Sequence, residues 1–334
     1  MRKTTSPRQP SQLPQSHPAK IEPMEGRLML AGDVWAGVVG GSLILRGNEA
    51  DNHVVIDQSG LGEREFRVRG LDGTTVNGQE EWLAGSVERD IRTRLGGGTD
   101  VLELTDVAVR RNLVVRGGSG TDSLSLTGDG ASAAAGVTFR PGYGQSFCTI
   151  SHVTIGGLNL RGRGPAGFVV DHVEVLGRMS VLNRLDTADI SLEYCAFRGP
   201  VLIATGAGDD ALQVENSCFF SRTDVLTRSG ADTVIIEGEN SPYPQIIEPG
   251  SPADWIPGNP NSTMLSGPAH VRLGGGNDQL NISYQVGDEV YLPGRTTLDA
   301  GRGNDTGRLD IRLGGEDLTK SGFEHVYTEF HMAS

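Results

Sequence analysis

Seven runs of the form Gly-x-Gly-x-Asp, some intact and some degraded, recur along this chain at a nearly fixed interval. They are Gly96 to Asp100, Gly118 to Asp122, Leu185 to Asp189, Gly206 to Asp210, Arg228 to Asp232, Gly274 to Asp278 and Gly301 to Asp305. From Asp100 to Asp122, Asp189 to Asp210 and Asp210 to Asp232 is one such interval each, and from Asp278 to Asp305 a slightly longer one. The stretch from Asp122 to Asp189 is close to three intervals and that from Asp232 to Asp278 close to two. A period of about 20 to 25 residues is too short for paired-helix repeats and matches one coil of a solenoid.

The residues after each aspartate say which solenoid. Val101-Leu102-Glu103-Leu104, Ser123-Leu124-Ser125-Leu126, Ala211-Leu212-Gln213-Val214 and Gln279-Leu280-Asn281-Ile282 place apolar side chains at alternate positions. That is the period of a strand with one buried face. A second strand precedes the turn at Leu113 to Arg116, Val201 to Ala204 and Val271 to Leu273. Strand, Gly-Asp turn, strand and return segment, stacked on themselves, predict an all-β chain: a right-handed parallel β-helix of about 22 residues per coil. Its Asp100, Asp122, Asp189, Asp210, Asp232 and Asp278 are expected along one edge.

Three regions are expected. Residues 1–33 begin with a proline-rich, polar stretch and read as disordered. Residues 34–94 carry strand-like runs at Leu43 to Arg46, Val54 to Asp57 and Phe66 to Arg69 and read as a β module capping the open end of the stack. Residues 95–334 hold the repeats, interrupted at 241–268 by a loop with seven prolines. The net charge of −13 argues against nucleic acid, which calls for a basic face. The longest apolar stretch, Val34 to Leu45, is broken by glycines and too short for a transmembrane segment.

Near the N-terminus, Ile21 to Asp33 (Ile-Glu-Pro-Met-Glu-Gly-Arg-Leu-Met-Leu-Ala-Gly-Asp) resembles a segment found near the start of predicted surface and secreted proteins of planctomycete bacteria. Gly40 to Gly47 and Leu71 to Gly78 are similar to the N-terminal module of the same proteins. The resemblance implies a β-helical repeat and an extracellular or cell-envelope location, and lends no enzyme activity. Arg2-Lys3 is followed by polar residues rather than the apolar core of a cleavable signal peptide.

The turns carry the candidate chemistry. Gly117 to Leu124 matches each fixed position of Gly-Gly-x-Gly-x-Asp-x-Leu, the calcium-binding repeat of RTX (haemolysin-type) proteins, which the other turns resemble in degraded form. That resemblance makes Asp100, Gly118, Gly120, Asp122, Asp189, Gly208, Asp210, Asp232, Asp278 and Asp305 candidate Ca2+ ligands and turn formers. Glycine permits positive φ and aims carbonyls into the turn, and a hard cation takes six to eight oxygens. The competing reading is a metal-free turn whose aspartate accepts backbone N–H bonds.

Parallel β-helices also host pectate lyases and polygalacturonase-like hydrolases, and Asp209-Asp210 resembles the paired carboxylates of the latter. Asn-Thr-Asp, Gly-His-Gly and Arg-x-Lys are all missing, and the repeat already explains the pair. His152 and His172, with Asp171 and Glu174 near, suggest a polar ladder or a metal site. Cys148, Cys195 and Cys218 read as an inward ladder of small side chains, a Cys195–Cys218 bridge staying open. The expected function is a non-enzymatic structural or adhesive surface β-helix with cell-surface polysaccharide or matrix protein as partner; the alternative is a polysaccharide-active enzyme.

Overall fold

A computed structural model describes residues 32–128, 132–238, 263–265, 267–283, 290–292, 295–313 and 318–332. All but the end of the N-terminal segment 1–33, and most of the proline-rich loop, lie outside these described residues. Within them every regular element is a strand, and parallel pairing builds a β-solenoid in which each coil returns to the register of the one before.

The chain enters through antiparallel pairings. β1 (Asp33–Val39) and β2 (Ser42–Arg46) form a hairpin closed by Gly40-Gly41, both at positive φ. β3 (His53–Asp57), β4 (Phe66–Leu71), β5 (Thr75–Val76) and β6 (Glu81–Ala84) follow, with β4 antiparallel to both β3 and β6. β2 and β3 also run parallel to the two halves of β7 (Ile91–Thr105). They are therefore the first rung of the stack, and the boundary drawn after residue 94 falls inside β7.

β7 and β8 (Val109–Thr127) each pass through a Gly-Asp turn and stay paired on both sides of it, from Ile91 with Leu113 to Thr105 with Thr127. β9 (Ser132–Tyr143), β10 (Ser146–Ile155), β11 (Leu158–Gly162) and β12 (Ala166–Val175) continue the stack. Each coil has a first arm before the turn, a second arm after it and a short third arm. The third arm, as in Ala196–Phe197 paired with Cys218–Phe219, is what the sequence showed only as a return segment.

Alternation puts one side chain in two inside, and stacking turns each inward position into a file. Leu102, Leu124, Cys148, Phe168, Ile190, Leu212, Val234 and Leu280 are in register from coil to coil and all are buried. Each contributes about 1.5 to 3 kcal/mol by burial if fully removed from water. Phe197 and Phe219 stack face on face, 4.8 Å between centroids.

Two expectations need correction here. The excursion drawn to residue 268 ends earlier: Met264 and Leu265 pair with Cys218 and Phe219, and the Pro268 carbonyl accepts the Thr223 N–H. The interval from Cys195 to Cys218 is one residue longer than the coil, so Cys218 is in register with Ala196 and Ser217 takes the place beside Cys195. All three cysteines are buried, and none is in a disulfide. The Cys195 thiol has two carbonyls within reach of its one proton, Glu193 at 3.1 Å and Val170 at 3.3 Å, and burial pushes its pKa up to about 12.

The turn glycines answer to the same stacking. A Cβ on Gly120 (φ +111) would lie 2.0 Å from the Gly98 carbonyl oxygen of the preceding coil, and one on Gly303 would lie 1.4 Å from that of Gly276. Gly120→Ala is expected to cost about 3 kcal/mol or more through clash and strain, whereas Gly85→Ala, with nothing within 4 Å, stays within about 0.5 kcal/mol. Denaturant melts of the two variants check this; equal midpoints would contradict it.

Candidate functional site

The aspartates of the turns form a row inside the stack. Asp100 is in register with Asp122, and one residue before the pairs Ala211–Thr233, Thr233–Gln279 and Gln279–Thr306 lie Asp210, Asp232, Asp278 and Asp305. Each of the six is at most 3% exposed. Between the two groups the row runs through Ser146, Ala166 and Ala188. Asp189 is therefore one residue out: it pairs with Ala211, points outward and is exposed, while Ala188 holds the row position. The expectation that Asp189 shares the edge is corrected by that register.

The carboxylates reach backward along the stack. Asp210 accepts the N–H of Ala188 at 2.7 Å, Asp232 that of Asp210 at 3.0 Å, Asp278 that of Asp232 at 2.9 Å and Asp305 that of Asp278 at 2.9 Å. Asn52 stands in the row before Asp100 and gives it both its backbone N–H and its side-chain amide, each at 2.9 Å. Glu324 ends the row by accepting the Asp305 N–H at 2.7 Å. The motif missed both: Asn52 lacks the turn glycines, and Glu324 follows a degraded turn, Lys320-Ser321-Gly322-Phe323, in which glutamate stands for aspartate. Asp122 differs, accepting the Gly118 N–H of its own turn at 3.1 Å.

The neighbouring residue laces the coils in the other direction. Asp51 accepts the Thr99 N–H, Asp209 that of Ala231 and Asn277 that of Asn304, each from one rung further on. Asp209 and Asp210 thus diverge, one exposed and bonded forward, the other buried and bonded back. Two carboxylates flanking a scissile bond need to face a common space.

One oxygen of every buried row aspartate has no hydrogen-bond partner: Oδ2 of Asp100, Asp210, Asp232, Asp278 and Asp305, and Oδ1 of Asp122. Burial raises the pKa of Asp100 and Asp232, carries Asp210 and Asp278 to about 6, and carries Asp122, with the Asp100 charge added, to about 7. The unpartnered oxygen on each of these six aspartates can be met by a proton or by a cation. The donors are all oxygens, which suits Ca2+ rather than a softer metal. Gly118, Gly120 and Gly208 are needed in either case, because atoms of the preceding coil occupy the space of their Cβ.

A second row occupies the next corner. Asp106, His152, His172, Tyr194 and Asn216 all have φ near +50, and aspartate, asparagine and histidine adopt that conformation more readily than most residues. His152 stacks on His172 at 4.8 Å and His172 on Tyr194 at 4.7 Å. Asp171 lies 2.5 Å from His172 Nδ1 and groups with both histidines, while Glu174 is bound by Arg198 at 2.9 Å.

No family model, no curated protein and no solved structure matches this chain.

Because Asp100, Asp122, Asp210, Asp232 and Asp278 have raised pKa values when folded, they hold more protons in the folded chain than in the unfolded one between about pH 4 and 7. The stability this lends is complete below the unfolded aspartate pKa of about 3.9 and is lost as pH rises through about 6 to 7. Without added metal, Tm is expected to fall between pH 5.5 and 8, and Asp210→Asn with Asp278→Asn to flatten that fall. Asp210→Ala, which strands the Ala188 N–H, is expected to cost about 1 to 3 kcal/mol throughout. Thermal unfolding across that range checks all three.

Proposed function

We propose that this chain is a non-enzymatic structural or adhesive β-helix of the bacterial surface or medium. The observation that carries the reading is the use made of the turn carboxylates. The acidic groups that a polysaccharide-active β-helix would turn on its substrate are engaged here, coil by coil, in holding one backbone to the next. The resemblance of Ile21 to Asp33 to surface and secreted proteins supports the location. Fractionation of the source cells tests it: recovery with the envelope or medium is expected, and recovery wholly in cytoplasm would sink it. Polygalacturonate incubated with the purified chain should release neither unsaturated products nor reducing ends.

A second reading, Ca2+ bound along the row, is favoured by the unpartnered carboxylate oxygens. The holders would be Asp100 with Asp122, and Asp210, Asp232, Asp278 and Asp305, with turn carbonyls completing the oxygen set. Millimolar calcium at pH 7.5 is then expected to raise Tm by mass action on the folded state. Asp122→Ala reduces that rise and Asp171→Ala, outside the row, does not. An unchanged Tm leaves the row a metal-free clamp, its orphan oxygens met by protons.

A further inference from the structure

On the outer face of the first arm, at the last outward position before the turn, one coil after another carries arginine. Arg46 is in register with Arg94, Arg94 with Arg116, and Arg116 with Arg140. Arg161 continues the row, one residue past the pairing of Leu160 with Phe139. All five are exposed. At one strand spacing per rung the row is about 19 Å long.

Like charges at that spacing repel by about 1 kcal/mol per neighbouring pair in water. None of the five has an ion pair with a carboxylate among the described residues. Arg46 lies over the Trp35 ring and Arg161 donates to the Asn159 side chain; neither contact removes charge. The same fold pairs its arginines elsewhere. In the same column Arg272 meets Asp299 of the next coil at 3.4 Å, and one column over Arg92 meets Asp90 at 2.7 Å. An unpaired row of five cations thus stands on a chain of net charge −13.

We propose that this arginine row binds a linear acidic polysaccharide lying along the solenoid axis. Guanidinium groups take carboxylate or sulfate oxygens in paired hydrogen bonds, and a rung spacing of about 4.8 Å is close to the length of one sugar in an extended chain. Beside the row lies a shelf of Ile44, Val114, Thr138 and Asn159, in register with one another through Arg92, that offers apolar, hydroxyl and amide groups to sugar rings. At the Arg161 end a cleft of about 510 Å³ continues the line, with Arg178 and Arg184 at its walls. Single-stranded nucleic acid stacks its successive bases on a series of aromatic rings, whereas here Trp35 stands at the Arg46 end and no residue of the shelf is aromatic. The inference takes its biological setting from the surface placement proposed above, but the binding itself belongs to the purified chain.

Fluorescence anisotropy of the full chain against labelled polygalacturonate oligomers and labelled dextran sulfate tests it, with neutral dextran and oligo(dT) as comparisons. Binding to one or both acidic glycans is expected, weakening steadily with salt, with no binding to neutral dextran. Reversing Arg94, Arg116 and Arg140 to Glu is expected to lower affinity by about 100-fold at low salt, about fivefold per reversed residue. Reversing the exposed Arg295, Arg302 and Arg308 changes net charge equally and is expected to cost less than about threefold. Circular dichroism and Tm check that both triples fold; if the first does not, Arg116→Gln with Arg140→Gln takes its place, with a loss of about tenfold expected. Failure to bind either glycan, equal losses in the two triples, or tighter binding of oligo(dT) would each overturn the proposal. Cytoplasmic recovery with glycan binding intact would overturn the surface placement alone.

Discussion

In a parallel stack with one strand spacing between coils, every side chain lies against its counterpart in the coils above and below. The distinctive features of this chain are answers to that constraint. For leucine, isoleucine and phenylalanine the answer is simple, because like apolar groups pack well and the file becomes core. For aspartate it is harder: buried acids at this spacing repel by about 3 to 4 kcal/mol per pair at an effective dielectric of 20 if all are charged. The structure offsets this by giving Asp100, Asp210, Asp232, Asp278 and Asp305 each a backbone N–H from the coil behind, and by lifting the pKa of Asp210 and Asp278 toward neutrality. Histidine and tyrosine answer by stacking ring on ring at the second corner. Arginine has no such internal answer, and its row faces outward.

The glycines follow from the constraint just as directly. Where the chain turns, the carbonyl of one coil points at the α-carbon of the next, and only a residue without Cβ fits. A glycine-aspartate motif that resembles an ion-binding repeat is therefore also what close stacking with a backbone clamp would select. Calcium titration and pH dependence separate the two because they act on the same oxygen: a proton fills it in acid, a cation in neutral solution.

Much of this was legible in the sequence, and the failures share one cause. The period named the solenoid, and alternation named the inward faces. What the period could not give was the length of each individual coil. The row steps from Asp122 to Ser146, from Ser146 to Ala166 and from Ala166 to Ala188, three unequal strides, so the motif-like Asp189 lands one place beyond it. The interval from Cys195 to Cys218 misleads in the same way. The arginine row was hidden by averaging, since net charge has no address. Its signal was present nonetheless: Arg46, Arg94, Arg116 and Arg140 stand at one fixed distance before the row residue of their coil, Asn52, Asp100, Asp122 and Ser146. The Asp209-Asp210 pair was legible as a repeat turn, but the opposite directions of its two carboxylates needed coordinates.

The hydrogen bond from the Asp232 N–H to Asp278 joins positions 46 apart in the chain and is 2.9 Å long. The bond from the Asp210 N–H to Asp232 joins positions 22 apart and is 3.0 Å long. Rung geometry is thus indifferent to how much chain lies between the rungs. An insertion placed between the second arm and the third costs only the entropy of closing a longer loop, which grows slowly with length. Such a fold can acquire a foreign segment at that corner without rearranging its core, and a protein engineer could graft one there on the same terms.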